Sequence, residues 1–400
     1  MPDTTDVLVI GGGLMGCSTA YALARQGVKA TLVERRPQPG QETTARSGAI
    51  IRAHYGVPEL VTLALEANRR YARFADEVGQ PCGFVPSGYS VLVDAADETT
   101  LRSAVAMHQS RGVNVSLLSP AELGAIIPAV KTEDAALAAW EPDGGYASPQ
   151  MTVTAYATQA GRFGANLRFD CPVTAAVREG TGWRVTLGGG EAISAGQIVL
   201  CTGNWSQPIG SLFGLDLPVT PVRAQIVVLE RPASFAGVFP VVSDLINLAY
   251  FRADGEGGMW VGSSDNADLA EALEQPDGYD EAAGTQAVQD ARRKAALRFE
   301  GMDAGDKGGV QRAFSGLYET TPDWQPILDS FGNGPYPNLH AAVGFSGHGF
   351  KLAPVVGEAM AARVTGKPDP FDIALFTLSR FAEGRPIRSQ HPYQRARFLR

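Results

Sequence analysis

The stretch DVLVIGGGLMGCSTAYALARQGVKATLVERR, residues 6–36, leaves the start of this chain one arrangement: strand, tight turn, helix, strand. Val7 to Ile10 is a continuous apolar run of the kind a buried parallel strand needs. Gly11, Gly13 and Gly16 satisfy G-x-G-x-x-G, and Ala20, Leu23, Ala24 and Gly27 then recur on one helical face. A second strand, Val28 to Val33, ends at Glu34. Glycines let backbone approach a pyrophosphate, which sits at a helix N-terminus where free N–H groups favour anions. Glu34 is placed to accept hydrogen bonds from ribose hydroxyls. The motif alone leaves NAD and FAD open. The long polar loop that follows, ERRPQPGQETTARSGAIIRAHYG, carries Arg35, Thr43, Thr44, Arg46 and Arg52. It suits a cofactor lying extended across the domain better than another helix–strand unit would.

At 400 residues the chain calls for two domains. A formal charge of -8 argues against a nucleic-acid surface. The N-terminus shows no basic segment followed by an apolar one, and no apolar run is long enough to span a membrane. Cys17, Cys82, Cys171 and Cys201 lack metal-ligand spacing and read as reduced, buried thiols, so no metal site and a cytoplasmic location are expected. PELVTLALEANRRYARFADEVG predicts a helix with Leu60, Leu63, Ala67, Tyr71 and Phe74 inside. SPAE predicts a capped helix start, Ser119 with Pro120 and Glu122. IVLCTG predicts a buried strand Ile198 to Cys201 and a turn at Thr202 and Gly203, and NLHAAVGFSGHGFKLAPVVGEAMAARVTG a strand, a glycine loop and a helix. Trp205 reads as core.

Taken in order, VIGGGLMG, VERRPQPGQETTARSGAIIRAHY, IVLCTGNWS, FSGLYETTPDWQPILD and GFSGHGFKLAP resemble the FAD-dependent D-amino-acid oxidase superfamily, nearest its sarcosine oxidase and dimethylglycine dehydrogenase branch. The resemblance spans nearly the whole chain. It implies an α/β fold in which a Rossmann-type FAD-binding domain (1–84, 147–216 and 312–380) interleaves with an antiparallel-sheet, α+β substrate domain (85–146 and 217–311). A basic tail, 381–400, follows. It also implies Gly11, Gly13 and Gly16 at the pyrophosphate and Glu34 at the ribose. Arg35, Thr44 and Ser47 would lie along the cofactor, Val173 at the adenine, and Thr202 and Gly203 beside the diphosphate. Gly347, His348 and Gly349 would approach the flavin ring. Some relatives attach FAD through a cysteine where Gly316 stands here, or through a histidine in the loop that reads TTARSG, so the FAD is expected to be non-covalent. Trp260 falls where monomeric sarcosine oxidases carry an oxygen-activating lysine, which favours a dehydrogenase over an oxidase. A pocket histidine of those enzymes falls at Ser264.

The chemistry so implied is oxidation of a secondary or N-methylated amino acid, of the sarcosine, dimethylglycine or proline type, to an imine by hydride transfer to flavin N5. Arg52 offers a bidentate fork for the substrate carboxylate and Lys351 a second point charge that also serves the flavin. A solvated loop arginine and a surface lysine are the plain alternatives on composition. Tyr250 and Tyr318 match substrate-pocket tyrosines, or are core. His54 and Tyr55 line the flavin or merely pack. His348 reads as a spacer rather than a base. Oxygen or another acceptor takes the electrons, and a partner subunit is possible, with the tail either a solvated or loosely docked terminus or a docking segment for that partner. An FAD-dependent hydroxy-acid dehydrogenase and a flavoprotein subunit of a hetero-oligomer stand as rivals.

Overall fold

A computed structural model describes residues 3–255, 257–265, 271–302, 309–332 and 336–395. Among these residues two eight-stranded sheets carry the fold. The apolar run that opens the chain lies in the strand Asp3–Ile10, paired in parallel with Ala30–Val33 on one side and Ala192–Leu200 on the other. Asn166–Arg168 and Leu339–Val343 extend this sheet in parallel, and Ile327–Ser330 closes one edge antiparallel. A hairpin, Val173–Glu179 and Gly182–Leu187, joins through Ala192–Leu200. Burial on both faces explains why Leu8, Val9, Leu32, Ile198 and Leu200 form unbroken apolar runs. The helix Leu14–Arg25 packs against the helices Pro149–Arg162 and Ala353–Val364, and Ser18 Oγ donates to Ala353 O at 2.7 Å.

The second sheet runs Val310–Thr320, Thr220–Glu230, Gly258–Ser263, Ala249–Asp254, Val241–Asp244, Tyr89–Val93, Leu137–Glu141, Ser116–Leu118. Its pairings are antiparallel except where Val241–Asp244 meets Tyr89–Val93. The expected boundary at residues 311 and 312 falls inside one of its strands. Val310–Thr320 pairs with Thr220–Leu229 along its length, so it belongs to this sheet, although its C-terminal end reaches the cofactor motif. A short ladder, Ile50–Ile51 with Gly145–Tyr146, sets the start of the loop that carries Arg52.

The helix expected from Pro58 onward is two, Pro58–Ala72 and Phe74–Val78, broken at Arg73; its apolar face is buried as expected. The capping box forms: Ser119 Oγ accepts from Glu122 N at 3.3 Å and Glu122 Oε2 accepts from Ser119 N at 2.7 Å. Among the described residues no helix is long and apolar enough to cross a membrane. The four cysteines are free thiols; Cys17, Cys82 and Cys201 are buried, whereas Cys171 is half-exposed, contrary to expectation. As far as residue 395 the basic tail is mostly exposed but docked at a few points. It lies back on its own chain and buries Ile387 and Tyr393, while residues 396–400 lie outside the described residues.

Candidate active site

The turn after the first strand is built so that only glycine fits it. Gly11 has φ +110°, and a Cβ there would stand 2.3 Å from Cys201 O. A Cβ on Gly16 would stand 1.8 Å from Gly11 O. Backbone is therefore brought against backbone, and the N-terminus of the helix Leu14–Arg25 opens onto a cavity of about 750 Å³. Glu34, at the end of the second strand, is held toward it. Its Oε2 accepts from Gly12 N at 2.6 Å and its Oε1 from Arg36 N at 2.8 Å. Burial pushes its pKa up, and these two N–H groups hold it back.

The cavity collects the residues singled out from the sequence. Gly11, Gly13, Glu34, Arg35, Thr44, Ser47 and Arg52 line it from the N-terminal segment, and Val173, Thr202 and Gly203 from the middle of the chain. Tyr250, Gly316 and Tyr318 line it from the second sheet, and Gly347, His348, Gly349 and Lys351 from the glycine loop. Gly16 is the exception; it sits behind the turn and shapes it. Thr44 Oγ1 accepts from Leu14 N and ties the polar loop to the turn, whereas Ser47 Oγ accepts from Ala49 N within the loop itself. Arg35 spans to Asp277 at 2.8 Å and lies over the Trp205 ring at 4.6 Å. Trp205 is thus not core: it is half-buried at the cavity wall, its indole N–H donating to Asp277 at 3.0 Å.

Two buried cations face this space. Arg52 is 8% exposed and Lys351 5%, and neither forms an ion pair among the described residues. The Arg52 guanidinium donates to His54 O and lies over the rings of Tyr55, at 4.4 Å, and Tyr89, at 5.6 Å. Lys351 sits in the short 3₁₀ turn Phe350–Leu352, not on the surface, and its Nζ donates to His348 O at 3.3 Å. Burial, and then Arg52, drive its pKa well below that of a free lysine. His348 is neutral: burial and the neighbouring Lys351 lower its pKa to about 3, and its Nε2 donates to Trp324 O at 2.9 Å. Burial raises the phenols of Tyr250 and Tyr318, which keeps both protonated.

Other residues depart from expectation or escaped it. His54 and Tyr55 are buried behind the cavity rather than on it. Ser264 lines it. Trp260 lies just outside, packed against Arg252 at 4.5 Å and Phe314 at 5.4 Å. Glu319, which lies in the motif FSGLYETTPDWQPILD but was given no role, lines the cavity with Oε2 unpartnered, and burial raises its pKa to about 7. Gly316 and Tyr318 were the signals pointing to that strand end. The cavity volume, the glycine turn, the aimed Glu34 carboxylate and the unpartnered Glu319 oxygen fit a large polyhydroxylated dinucleotide.

A family model described as FAD dependent oxidoreductase (DAO) matches residues 6–363. N-methyl-L-tryptophan oxidase of Salmonella arizonae is 27% identical to this chain, over 94% of it and 99% of the relative. FAD-dependent oxidoreductase domain-containing protein 1 of Bos taurus is 27% identical over 96% of the chain and 86% of its own length. Among solved structures, L-proline dehydrogenase from P. horikoshii superposes with a TM-score of 0.86 at 25% identity, covering 97% of this chain and 100% of that one.

Proposed function

The chain belongs to the FAD-dependent oxidoreductase (DAO) family, and from that premise we propose that it oxidises the C–N bond of a secondary or N-methylated amino acid to an imine. The observation that carries this reading is the pair of buried, unpaired cations, Arg52 and Lys351, on one cavity wall. A buried charge without a partner is costly, and an anionic ligand offsets that cost. A substrate carboxylate is such an anion, and Arg52 presents the planar fork that matches it. The substrates in two relatives' names, N-methyl-L-tryptophan and L-proline, share a carboxylate and a secondary amine.

In this proposal Gly11, Gly13, Thr202 and Gly203 hold the diphosphate of FAD, Gly16 shapes the turn behind them, and Glu34 holds the ribose, while Arg35, Thr44, Ser47 and Val173 lie along the cofactor. Bound FAD supplies the hydride acceptor. The chain's own residues do the rest. Arg52 and Lys351 fix the carboxylate, which orients the carbon that loses hydride. The same two positive charges disfavour a third, so they lower the pKa of the substrate amine and select its neutral form. No strong base is then needed, which agrees with a neutral, hydrogen-bonded His348. Tyr250 and Tyr318 wall the pocket as protonated donors, and the glycine loop 347–349 limits water. With Gly316 in place of a cysteine the FAD is non-covalent: acid precipitation leaves all the flavin in the supernatant, and a yellow pellet would refute this.

The test of the reaction is a substrate panel followed by anaerobic bleaching of the flavin. Sarcosine, dimethylglycine or proline bleaches it, whereas the corresponding hydroxy acids do not; the reverse pattern would make the enzyme a hydroxy-acid dehydrogenase. The resemblance aligns Trp260 with the oxygen-activating lysine of monomeric sarcosine oxidases, and on that ground an acceptor other than oxygen is favoured. A flavin reoxidised by air as fast as by an artificial acceptor would overturn that preference.

A further inference from the structure

Behind Arg52 lies a buried group of side chains that the proposed chemistry does not use. The loop 52–56 is gripped at four points. Glu141 Oε2 accepts from Ala53 N at 2.8 Å, and His108 Nε2 donates to Tyr55 O at 2.8 Å. Tyr393 OH is hydrogen-bonded to His54 Nε2 at 2.7 Å, and Gln390 N donates to Gly56 O at 2.8 Å. The last two grips come from the C-terminal segment, more than three hundred residues away in the chain. That segment is itself pinned on both sides. Ile387 N donates to Asp323 Oδ2 and Gln394 N to Asp97 Oδ1, each at 2.9 Å. It runs so close to the loop that a Cβ on Gly56 would stand 1.8 Å from Ser389 Oγ.

The link to the active site is direct. The Arg52 guanidinium donates to the carbonyl of His54, whose ring Tyr393 holds. Tyr393 is 4% exposed, so its hydroxyl has no water to turn to if that bond is lost. His54 and His108 are neutral: burial lowers both, with His108 adding to the effect on His54 and Arg52 and His391 acting on each. His54 Nδ1, His108 Nδ1 and Glu141 Oε1 are without a hydrogen-bond partner, and the three side chains lie together. Arg52 adds a positive charge alongside, which disfavours a metal cation there. The cluster reads instead as a support for the loop.

We propose that the C-terminal segment 387–395 is a strap that sets the position of Arg52, with Tyr393 and His54 as positioning residues. The proposal rests on the reading of Arg52 as the carboxylate's partner. A loosened loop leaves the fork misaimed by a fraction of a bond length, which weakens the grip on the carboxylate without touching the chemistry at the flavin. Tyr393→Phe keeps the ring and deletes one hydroxyl; a chain ending at residue 385 deletes the strap. Each is assayed as the FAD-loaded enzyme with whichever amino acid bleaches wild type fastest. In Tyr393→Phe the KM rises about tenfold, kcat stays within about twofold, and the affinity for FAD is unchanged. The shortened chain shows a larger rise in KM. A wild-type KM in Tyr393→Phe overturns the strap, whether or not the shortened chain folds. Arg52→Ala in the same assay separates the two ideas. Wild-type KM there defeats the carboxylate reading itself, whereas a raised KM in Arg52→Ala beside a wild-type KM in Tyr393→Phe defeats the strap alone.

Discussion

Arg52→Ala lowers kcat/KM for a carboxylate-bearing substrate by two to three orders of magnitude, about 3–4 kcal/mol, the cost of removing one partner of a buried, hydrogen-bonded charge pair. The size follows from where Arg52 sits. It is buried beside two aromatic rings, and Glu141, the carboxylate that acts on it, is occupied by Ala53 N and forms no ion pair with it. Screening by water is slight, and the other guanidiniums lining the cavity, Arg35, Arg36 and Arg46, are each engaged by a carboxylate. Arg52→Lys recovers only part of the loss, because a point charge cannot reproduce two parallel N–H bonds. FAD stays bound in both variants, since the proposed contacts to it come from other residues. The assay is steady-state turnover beside the flavin absorbance of the purified protein. Unchanged kcat/KM in Arg52→Ala, with flavin at full occupancy, would remove the carboxylate clamp from the account.

What the sequence could announce here depended on whether a constraint was local. Gly11 and Gly16 are legible because a Cβ at either would stand 2.3 or 1.8 Å from a backbone carbonyl oxygen, which leaves no room for any other residue. The parallel strands are legible because burial on two faces forces continuous apolar runs. Glu319 was not legible: on an alternating strand a carboxylate reads as solvent-facing, and only the fold turns its end into the cavity. The domain boundary failed for the same reason. Residues 310–320 serve both bodies, pairing with one sheet while delivering Gly316 and Tyr318 to the site. Tyr393 carries no motif at all, and its partner His54 becomes visible only when the tail folds back across the chain. Trp205, just past the Thr202–Gly203 turn, reads as core from the sequence, whereas Arg35 and Asp277, distant in sequence, draw it to the wall.

Lys351→Met separates activity from stability in a way that few substitutions do. Met keeps most of the length and removes the charge. In the wild-type protein Lys351 is buried beside Arg52, His348 and the Tyr55 ring with a single carbonyl as partner, so the fold carries an ammonium, or forces it neutral, at a cost. The variant therefore melts at the same temperature or several degrees higher, while kcat/KM falls about a hundredfold as one of two charges on the carboxylate disappears. The pH dependence supplies a second readout. Burial and Arg52 depress the folded-state pKa below the reference value of 10.5. Between those two pKa values the unfolded chain holds a proton that the folded chain has released, so stability of the ligand-free protein rises with pH through that window. Lys351→Met lacks that contribution. A bound carboxylate acts in the opposite direction by raising the pKa of Lys351. Binding then takes up a proton, and affinity is greatest at low pH and declines as pH rises through the pKa of the complex. Calorimetry in two buffers of different ionisation enthalpy reads that uptake directly. Proton uptake as large in Lys351→Met as in wild type, or a melting temperature lowered by several degrees, would show that Lys351 is a structural residue and not the second cation of the site.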